Sequence, residues 1–494
     1  MKKNVLITLC LLFLVVENTS AKITLPRLVG DNMVLQQSTA VNLWGISTAK
    51  KVVVSPSWTR EKYIANTNQN GKWIVSVKTP KAGGPYSITL NDGTPLTIKN
   101  VLIGEVWICS GQSNMEIPIE GYPTQPIAEG LDAITNASTY DKIRLFTVRR
   151  NSTAMPQEEC SSKGWLCSSP LSVGQFSATA YFFGRALTQQ LHIPVGLLLS
   201  CWGGSSIEAW MDSTSIQQLQ GKIDMKSVTG KTSIHQKASV LYNGMINPIV
   251  NYTAKGFIWY QGEANRLAPR NYEKLMPAMV KSWRNLWGND KMPFYYVQLA
   301  PYSYNKADTI DLPVMIESQY KAQKQIPFSG IAATTDIGHE NCIHPGHKKL
   351  VGDRLAFMAL RNDYGIQGLP ADAPTFKSME IADGKAIIKF NNTMKVADGK
   401  VLGFNVPEAE DTGNGISCYD VNHSIKFAGF EIAGADKVFY PASASFDFRR
   451  QQMKVWSDKV PAPVAVRYAF HNYMPCNVHT NYGQPLAPFR TDNW

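Results

Sequence analysis

Between Val101 and about residue 365, short apolar runs alternate with stretches of helical periodicity, and this alternation restricts the possible folds most. Val101 to Cys109, Pro194 to Ser200, Gly256 to Tyr260, Phe294 to Leu299 and Gly330 to Thr335 read as strands. Between them, Ser177 to Leu191 carries Ala178, Tyr181, Phe182, Ala186 and Leu187 at helical spacing. Asn271 to Trp287 sets Leu275, Met279, Trp283 and Leu286 on one face and is stopped by Gly288, and Lys348 to Arg361 forms a last helix. A parallel strand pair needs a long crossover, usually a helix, so this order predicts an α/β domain with a parallel central sheet and helices on both faces.

The flanks differ in texture. Residues 22–100 hold short β runs (Val41 to Trp44, Lys51 to Val54, Trp73 to Val77, Tyr86 to Leu90) separated by turn clusters such as Asn68-Gln69-Asn70-Gly71. After residue 365 the β texture returns at Ala386 to Phe390, Gly429 to Ile432 and Val464 to Tyr468. The expected division is therefore a 22–100 N-terminal β domain, a 101–365 α/β domain and a 366–494 C-terminal β domain, both flanks sandwich-like. The last could also complete the first, and pattern alone leaves both arrangements open. The chain's 494 residues suit two to four domains.

Residues 1–21 carry Lys2 and Lys3, an apolar run from Val5 to Val16 and a small-residue end at Ser20-Ala21, the marks of a cleaved signal peptide. Secretion or a periplasmic location follows. No later stretch is long and apolar enough for a membrane span. Losing Lys2, Lys3 and Glu17 with the leader takes the net charge from +11 to +10. Lys and Arg are scattered rather than clustered, which argues against nucleic acid as a partner. The mild excess suits an anionic ligand, or simply solubility. Beyond the leader lie seven cysteines, an odd number. Cys160 and Cys167 are placed to close a small disulfide, whereas Cys109 and Cys201 end apolar runs and read as buried hydrophobes.

Three familiar signatures fail on inspection. Gly230-Lys231-Thr232 lacks the upstream glycine of a phosphate loop, where Met225 stands. His339-Glu340 has its next histidine five positions on, about 500° around a helix, so two imidazoles would not share a face. Ser47 to Lys50 sits among β turns without partner motifs.

The segment Gly104 to Glu116, GEVWICSGQSNME, is more informative. A strand enters a Gly-containing turn that can present Ser113 at the carboxyl edge of the sheet, where open α/β folds place ligands. Met115 replaces the second glycine of a nucleophile elbow, and Ser113 could equally be a plain capping serine. Two further strand ends, Ser200-Cys201-Trp202-Gly203-Gly204-Ser205 and Trp259-Tyr260-Gln261-Gly262-Glu263, supply glycine N–H groups and a side-chain amide. Together with the Ser113 N–H, a glycine N–H and a side-chain amide would make a three-donor oxyanion hole, consistent with acyl transfer. His344, in Asn341-Cys342-Ile343-His344-Pro345, is a candidate general base for Ser113.

This constellation resembles the SGNH hydrolases and, within them, the sialate O-acetylesterase family. The likeness extends over Asp31 to Gln36, Gly104 to Glu116, Phe176 to Gly184, Gly203 to Trp210, Trp259 to Glu263, Ile343 to Pro345 and Pro488 to Asp492. It implies a three-layer α/β/α catalytic domain, Ser113 as nucleophile, His344 as base, and oxyanion donors from Ser113, Gly204 and Gln261. It also implies no metal or cofactor, and an O-acetylated sugar or sialoglycan as substrate. One departure stands out. The family usually carries an Asp two or three residues before the histidine, where this chain has Cys342 and Asn341. A backbone carbonyl, Asp336 or Glu340 would have to orient His344.

Alternatives follow from the same residues: an acetylesterase of plant polysaccharide such as xylan or xyloglucan, and a non-catalytic carbohydrate-binding protein lacking the orienting acid. A zinc hydrolase using His339, Cys342, His344 and His347 is a further reading. Trp107, Trp202, Trp210, Trp259 and Tyr260 could form a sugar-stacking wall or belong to the core. Glu116 and Glu208 could meet substrate or cap their own helices.

Overall fold

The computed structural model describes residues 22–304, 309–391, 404–405, 426–447 and 449–494. The leader, Cys418 and His423 lie outside these residues. The central sheet runs in the order Ser329–Ala332, Phe294–Val297, Gly256–Tyr260, Pro95–Gly111, Val195–Cys201, Ile143–Thr147 and Leu166–Cys167. The first six are mutually parallel. Leu166–Cys167 pairs antiparallel at the edge, so the sheet is mixed rather than purely parallel.

Side chains alternate between two helical layers. Trp107 meets Phe183 of the Ala178–Leu191 helix, while Phe257 meets Trp283 of the Pro269–Leu286 helix. Gly352 of the Lys348–Tyr364 helix lies so close to the 178–191 helix that an added Cβ would sit 2.7 Å from Phe182 Cβ and Phe183 N. On the other face, Tyr296 donates its hydroxyl to Gln319 O of the Asp311–Gln323 helix. Burial of both faces explains why these strands are continuously apolar.

Pro95–Gly111 is seventeen residues long. Its first half pairs antiparallel with Gly83–Asn91, and Val34–Gln36 lies parallel to Leu102–Gly104. Burial changes within it: residues 95–100 are mostly exposed, while every residue from Val101 to Gly111 is buried. The texture change at Val101 therefore marks the point where one strand passes under two helical layers. The N-terminal β residues accordingly share one hydrophobic core with the α/β region.

Among the described residues the C-terminal strands form two four-stranded sheets and one two-stranded pair, Phe404–Asn405 with His479–Thr480. They enclose a second cluster built from Ile388, Phe390, Phe430, Ile432, Val455, Val466, Tyr468 and Phe489. None of these strands joins the N-terminal sheets among the described residues.

The six cysteines among the described residues carry free thiols, including Cys160 and Cys167. The expected Cys160–Cys167 disulfide is thus not present. Cys160 is buried, whereas Cys167 is exposed on the edge strand.

Candidate active site

Three parallel strands end side by side, and their ends are stitched together. Gln112 donates its N–H to Tyr260 O at 2.9 Å, and Trp202 donates to Gly111 O at 3.1 Å. Gly111 has φ +138°, and an added Cβ would lie 2.2 Å from Tyr260 O. Only glycine permits that approach. The loops after residues 111, 201 and 260 consequently converge at the carboxyl edge of the sheet, as the pattern implied.

Ser113 opens the short helical turn Ser113–Glu116. Its neighbours Asn114 and Met115 are buried and pinned: Thr179 Oγ1 donates to Asn114 O at 3.1 Å, and Ser177 Oγ to Met115 O at 2.6 Å. Ser113 itself remains half-buried and open to the outside. Its N–H and that of Gly204 donate no hydrogen bond among the described residues.

Gly203 packs on the serine, an added Cβ standing 3.3 Å from Ser113 Cβ. Glu116 Oε2 accepts the Gly203 N–H at 2.8 Å. Arg150 grips the same carboxylate, Nε to Oε1 at 2.7 Å and NH2 to Oε2 at 2.6 Å. Glu116 therefore neither caps its helix nor stands free; it braces the glycine loop. Next to it, Trp202 stacks on His235 at 5.5 Å, with the Arg150 guanidinium 5.6 Å from its ring centre.

Gln261 departs from the three-donor expectation. Its two N–H groups go to Ser205 O (3.0 Å) and Asn265 Oδ1 (2.8 Å). Asn265 is oriented in turn by donating to both Glu208 oxygens, at 3.0 and 2.9 Å. A side-chain amide has two N–H bonds, and here both are committed. Gln261 thus anchors the 203–205 loop, with Glu208 orienting Asn265 behind it, and the backbone N–H groups of Ser113 and Gly204 are left unspent among the described residues.

His344 lies in a loop tied to the serine turn: Asn114 Nδ2 donates to Ile343 O at 3.1 Å. Its Nδ1 is 2.8 Å from Gln125 Oε1. The edge of Tyr122 meets the imidazole at 5.6 Å and 78°. Burial, and then the Lys348 cation, push the imidazole pKa down to about 4. Lys348 is fully buried and donates to Asn114 Oδ1 at 2.6 Å; burial lowers its own pKa to about 7, against the opposing pull of Glu263. Glu263, also buried, accepts from Asn114 Nδ2 at 2.6 Å, and burial raises its carboxyl pKa.

Neither acid expected to orient His344 does so. Asp336 is engaged by Arg354 at 2.6 Å and by His479 at 3.4 Å. Glu340 is exposed on the loop. Gln125, 219 residues away in sequence, was not legible because it belongs to no motif. Trp107, Trp210, Trp259 and Tyr260 are fully buried core residues, which leaves Trp202 alone at the rim. Among the described residues, His339, Cys342, His344 and His347 do not gather into a metal-binding group. A cavity of about 330 Å³ lined by Gly84, Lys142, Arg144 and His192 opens at the opposite, amino edge of the sheet, away from Ser113.

Residues 103–361, more than half the chain and all of this site, match the carbohydrate esterase family described as sialic acid-specific acetylesterases. The chain belongs to that family. An acetylesterase of this family is a carboxylic ester hydrolase, the chemistry for which an open serine, a neutral imidazole and unspent N–H donors are suited. A carbohydrate acetylesterase from Xanthomonas citri, seen in its crystal structure, is 33% identical; the match covers 96% of this chain and 100% of that one, with a TM-score of 0.82. The sialate O-acetylesterase of Homo sapiens is 29% identical over 399 residues, 73% of this chain and 75% of the relative. That of Mus musculus is 25% identical over 429 residues, 74% and 78% of the two chains. The described residues include no helix long and apolar enough to cross a membrane.

Proposed function

We propose that this acetylesterase removes O-acetyl groups from sialic acids, with Ser113 as nucleophile and His344 as general base. The carrying observation is the placement of Ser113: open, beside two unspent N–H groups, on a turn that Asn114 ties to the His344 loop. Ser113 Oγ makes no hydrogen bond to another side chain among the described residues, and in this reading its bond to His344 forms when the ester is bound.

Oγ attacks the acetyl carbonyl while His344 Nε2 takes its proton. The Ser113 and Gly204 N–H groups hold the tetrahedral oxyanion. His344 returns the proton to the departing sugar oxygen, leaving acetyl-Ser113. Water then attacks this ester, giving its proton to His344, and acetate leaves as Oγ is reprotonated. No metal or cofactor enters these steps. In this reading the α/β region 101–365 is an SGNH-type three-layer core between sandwich-like β regions at 22–100 and 366–494, and residues 1–21 direct export to the periplasm or outside.

The sialate relatives and the family description support sialic acid as the sugar, and the basic net charge suits an acidic one. The higher identity to the Xanthomonas protein, whose name specifies only a carbohydrate acetylesterase, favours a second reading, an acetylated carbohydrate other than sialic acid, for which acetylated xylan serves as the probe. Acetate release from O-acetylated mucin sialic acids and from acetylated xylan decides between them. The first reading expects release from the sialic acids that Ser113→Ala and His344→Ala abolish. Release from xylan alone gives the second, and undiminished release by Ser113→Ala removes the serine mechanism.

A further inference from the structure

The orienting group of His344 goes beyond the function proposed above and rests on it. Gln125 is held in place by more than one restraint. Tyr122 and Gln125 exchange backbone hydrogen bonds, N to O at 3.2 Å and 2.9 Å. Gly121, at φ +77°, closes that turn; an added Cβ would stand 2.4 Å from Gln125 O. The far side of the loop is fastened to the histidine's own segment: Ala128 donates to Gly346 O at 3.0 Å, and an added Cβ on Gly346 would be 2.7 Å from Pro126 O. The 2.8 Å contact between Gln125 Oε1 and His344 Nδ1 is thus set by two interlocked loops.

We propose that Gln125 is the positioning residue of this esterase: its side-chain carbonyl takes the part expected of an orienting acid and holds His344 as the Nδ1–H tautomer, with Nε2 left as a lone-pair base for the serine. A carbonyl oxygen accepts, so the hydrogen must lie on Nδ1. Unlike a carboxylate, the amide carries no charge to stabilise the imidazolium that forms when Nε2 takes the Ser113 proton. The surroundings point the same way. Lys348 faces the ring from the Lys348–Tyr364 helix, with Glu263 behind it on the loop after Tyr260. Tyr122 covers the ring edge, and its other neighbours are Glu116, Cys201 and Arg150. On the histidine's own loop, the Cys342 thiol donates to His344 O at 3.2 Å, while His339, Glu340 and His347 are exposed. No carboxylate touches the imidazole among the described residues. The resulting base is weaker but stays unprotonated in mildly acidic solution.

Acetate release from a simple acetyl ester, measured from pH 4 to 9 for wild type, Gln125→Ala, Gln125→Glu and Ser113→Ala, tests this. Gln125→Ala is expected to lose kcat on the order of ten- to a hundredfold with KM nearly unchanged, less than the ~10⁴-fold cost of losing a triad acid. Gln125→Glu keeps the acceptor and adds charge, so it should retain turnover while the acid limb of kcat/KM moves up by about one pH unit or more. The limb shift reports that residue 125 faces the imidazole, and the loss of kcat at constant KM in Gln125→Ala separates positioning from a merely structural contact. Wild-type kcat in Gln125→Ala, or an unmoved limb in Gln125→Glu, overturns the proposal while an inactive Ser113→Ala leaves the serine mechanism intact. An active Ser113→Ala overturns both.

Discussion

His344 shows how burial and one neighbouring cation set a working pH. Both disfavour the imidazolium, burial more than Lys348, and bring its pKa to about 4. The base is neutral above that value, so kcat/KM should fall only as pH drops through about 4, not through 6.5. Replacing Lys348 by Met removes the smaller contribution; the acid limb should rise by a fraction of a unit to about one unit, yet stay below 6.5 because burial persists. A pH–rate profile on both proteins checks this, with thermal melting to register the loss of the bond to Asn114. Glu116 makes a different prediction. Its carboxylate holds Gly203 N–H, one residue before the Gly204 N–H of the proposed oxyanion hole. Glu116→Ala should lower kcat by about ten- to a hundredfold with little change in KM, since an oxyanion contact matters most in the transition state. Steady-state kinetics on an acetyl ester reads this directly.

The long strand Pro95–Gly111 explains why the residues meet. It pairs with Val195–Cys201 on one side and Gly256–Tyr260 on the other, all parallel, so three loops leave one edge together. Gly111 makes the exit possible by letting its backbone lie against Tyr260 O. Gly111→Ala should cost at least about 3 kcal/mol of stability, from the clash and the positive φ, and should depress kcat in whatever protein folds, since Ser113 follows two residues later. Chemical denaturation measures the first effect and kinetics the second. Five of the strands and their alternation with helices were readable from apolar runs and helical spacing; their order in the sheet was not, because it depends on which strands pair at long range. The Asp311–Gln323 helix and the Ile143–Thr147 strand were not, because one has weak amphipathicity and the other is a short run among polar loops.

The C-terminal region is joined to the catalytic core through Asp336. Arg354 of the core helix grips its carboxylate and reaches Gly483 O at 3.0 Å, while His479 approaches from the C-terminal side. Burial pushes the Asp336 carboxyl pKa up, but the Arg354 charge and hydrogen bonds, with those of His479, outweigh it and hold it well below the usual carboxylate range. A carboxyl depressed in the folded state stabilises fully above its unfolded value of 3.8, and that stability is lost as pH falls below it towards the folded value. Asp336→Asn should therefore cost about 3–5 kcal/mol near neutral pH, because Arg354 is left buried without its partner, and the difference from wild type should shrink below pH 4. Melting temperatures across that range check it. At neutral pH, kcat of the folded variant should be close to wild type, since Asp336 does not contact His344.

The sequence by itself determined the α/β class and the sheet edge at which the candidate site lies, because two-sided burial and tight glycine turns leave local marks in residue type and spacing. It also singled out Ser113, Gly204 and His344 as candidates, each within a strand-end or loop motif. Only the tertiary structure decided which way side chains of similar promise point. Gln261 spends both N–H groups on Ser205 and Asn265 rather than on an oxyanion, and Gln125, outside every motif, meets His344. The direction of an amide dipole and the charge beside an imidazole depend on partners far away in the chain. Local pattern carries no record of them.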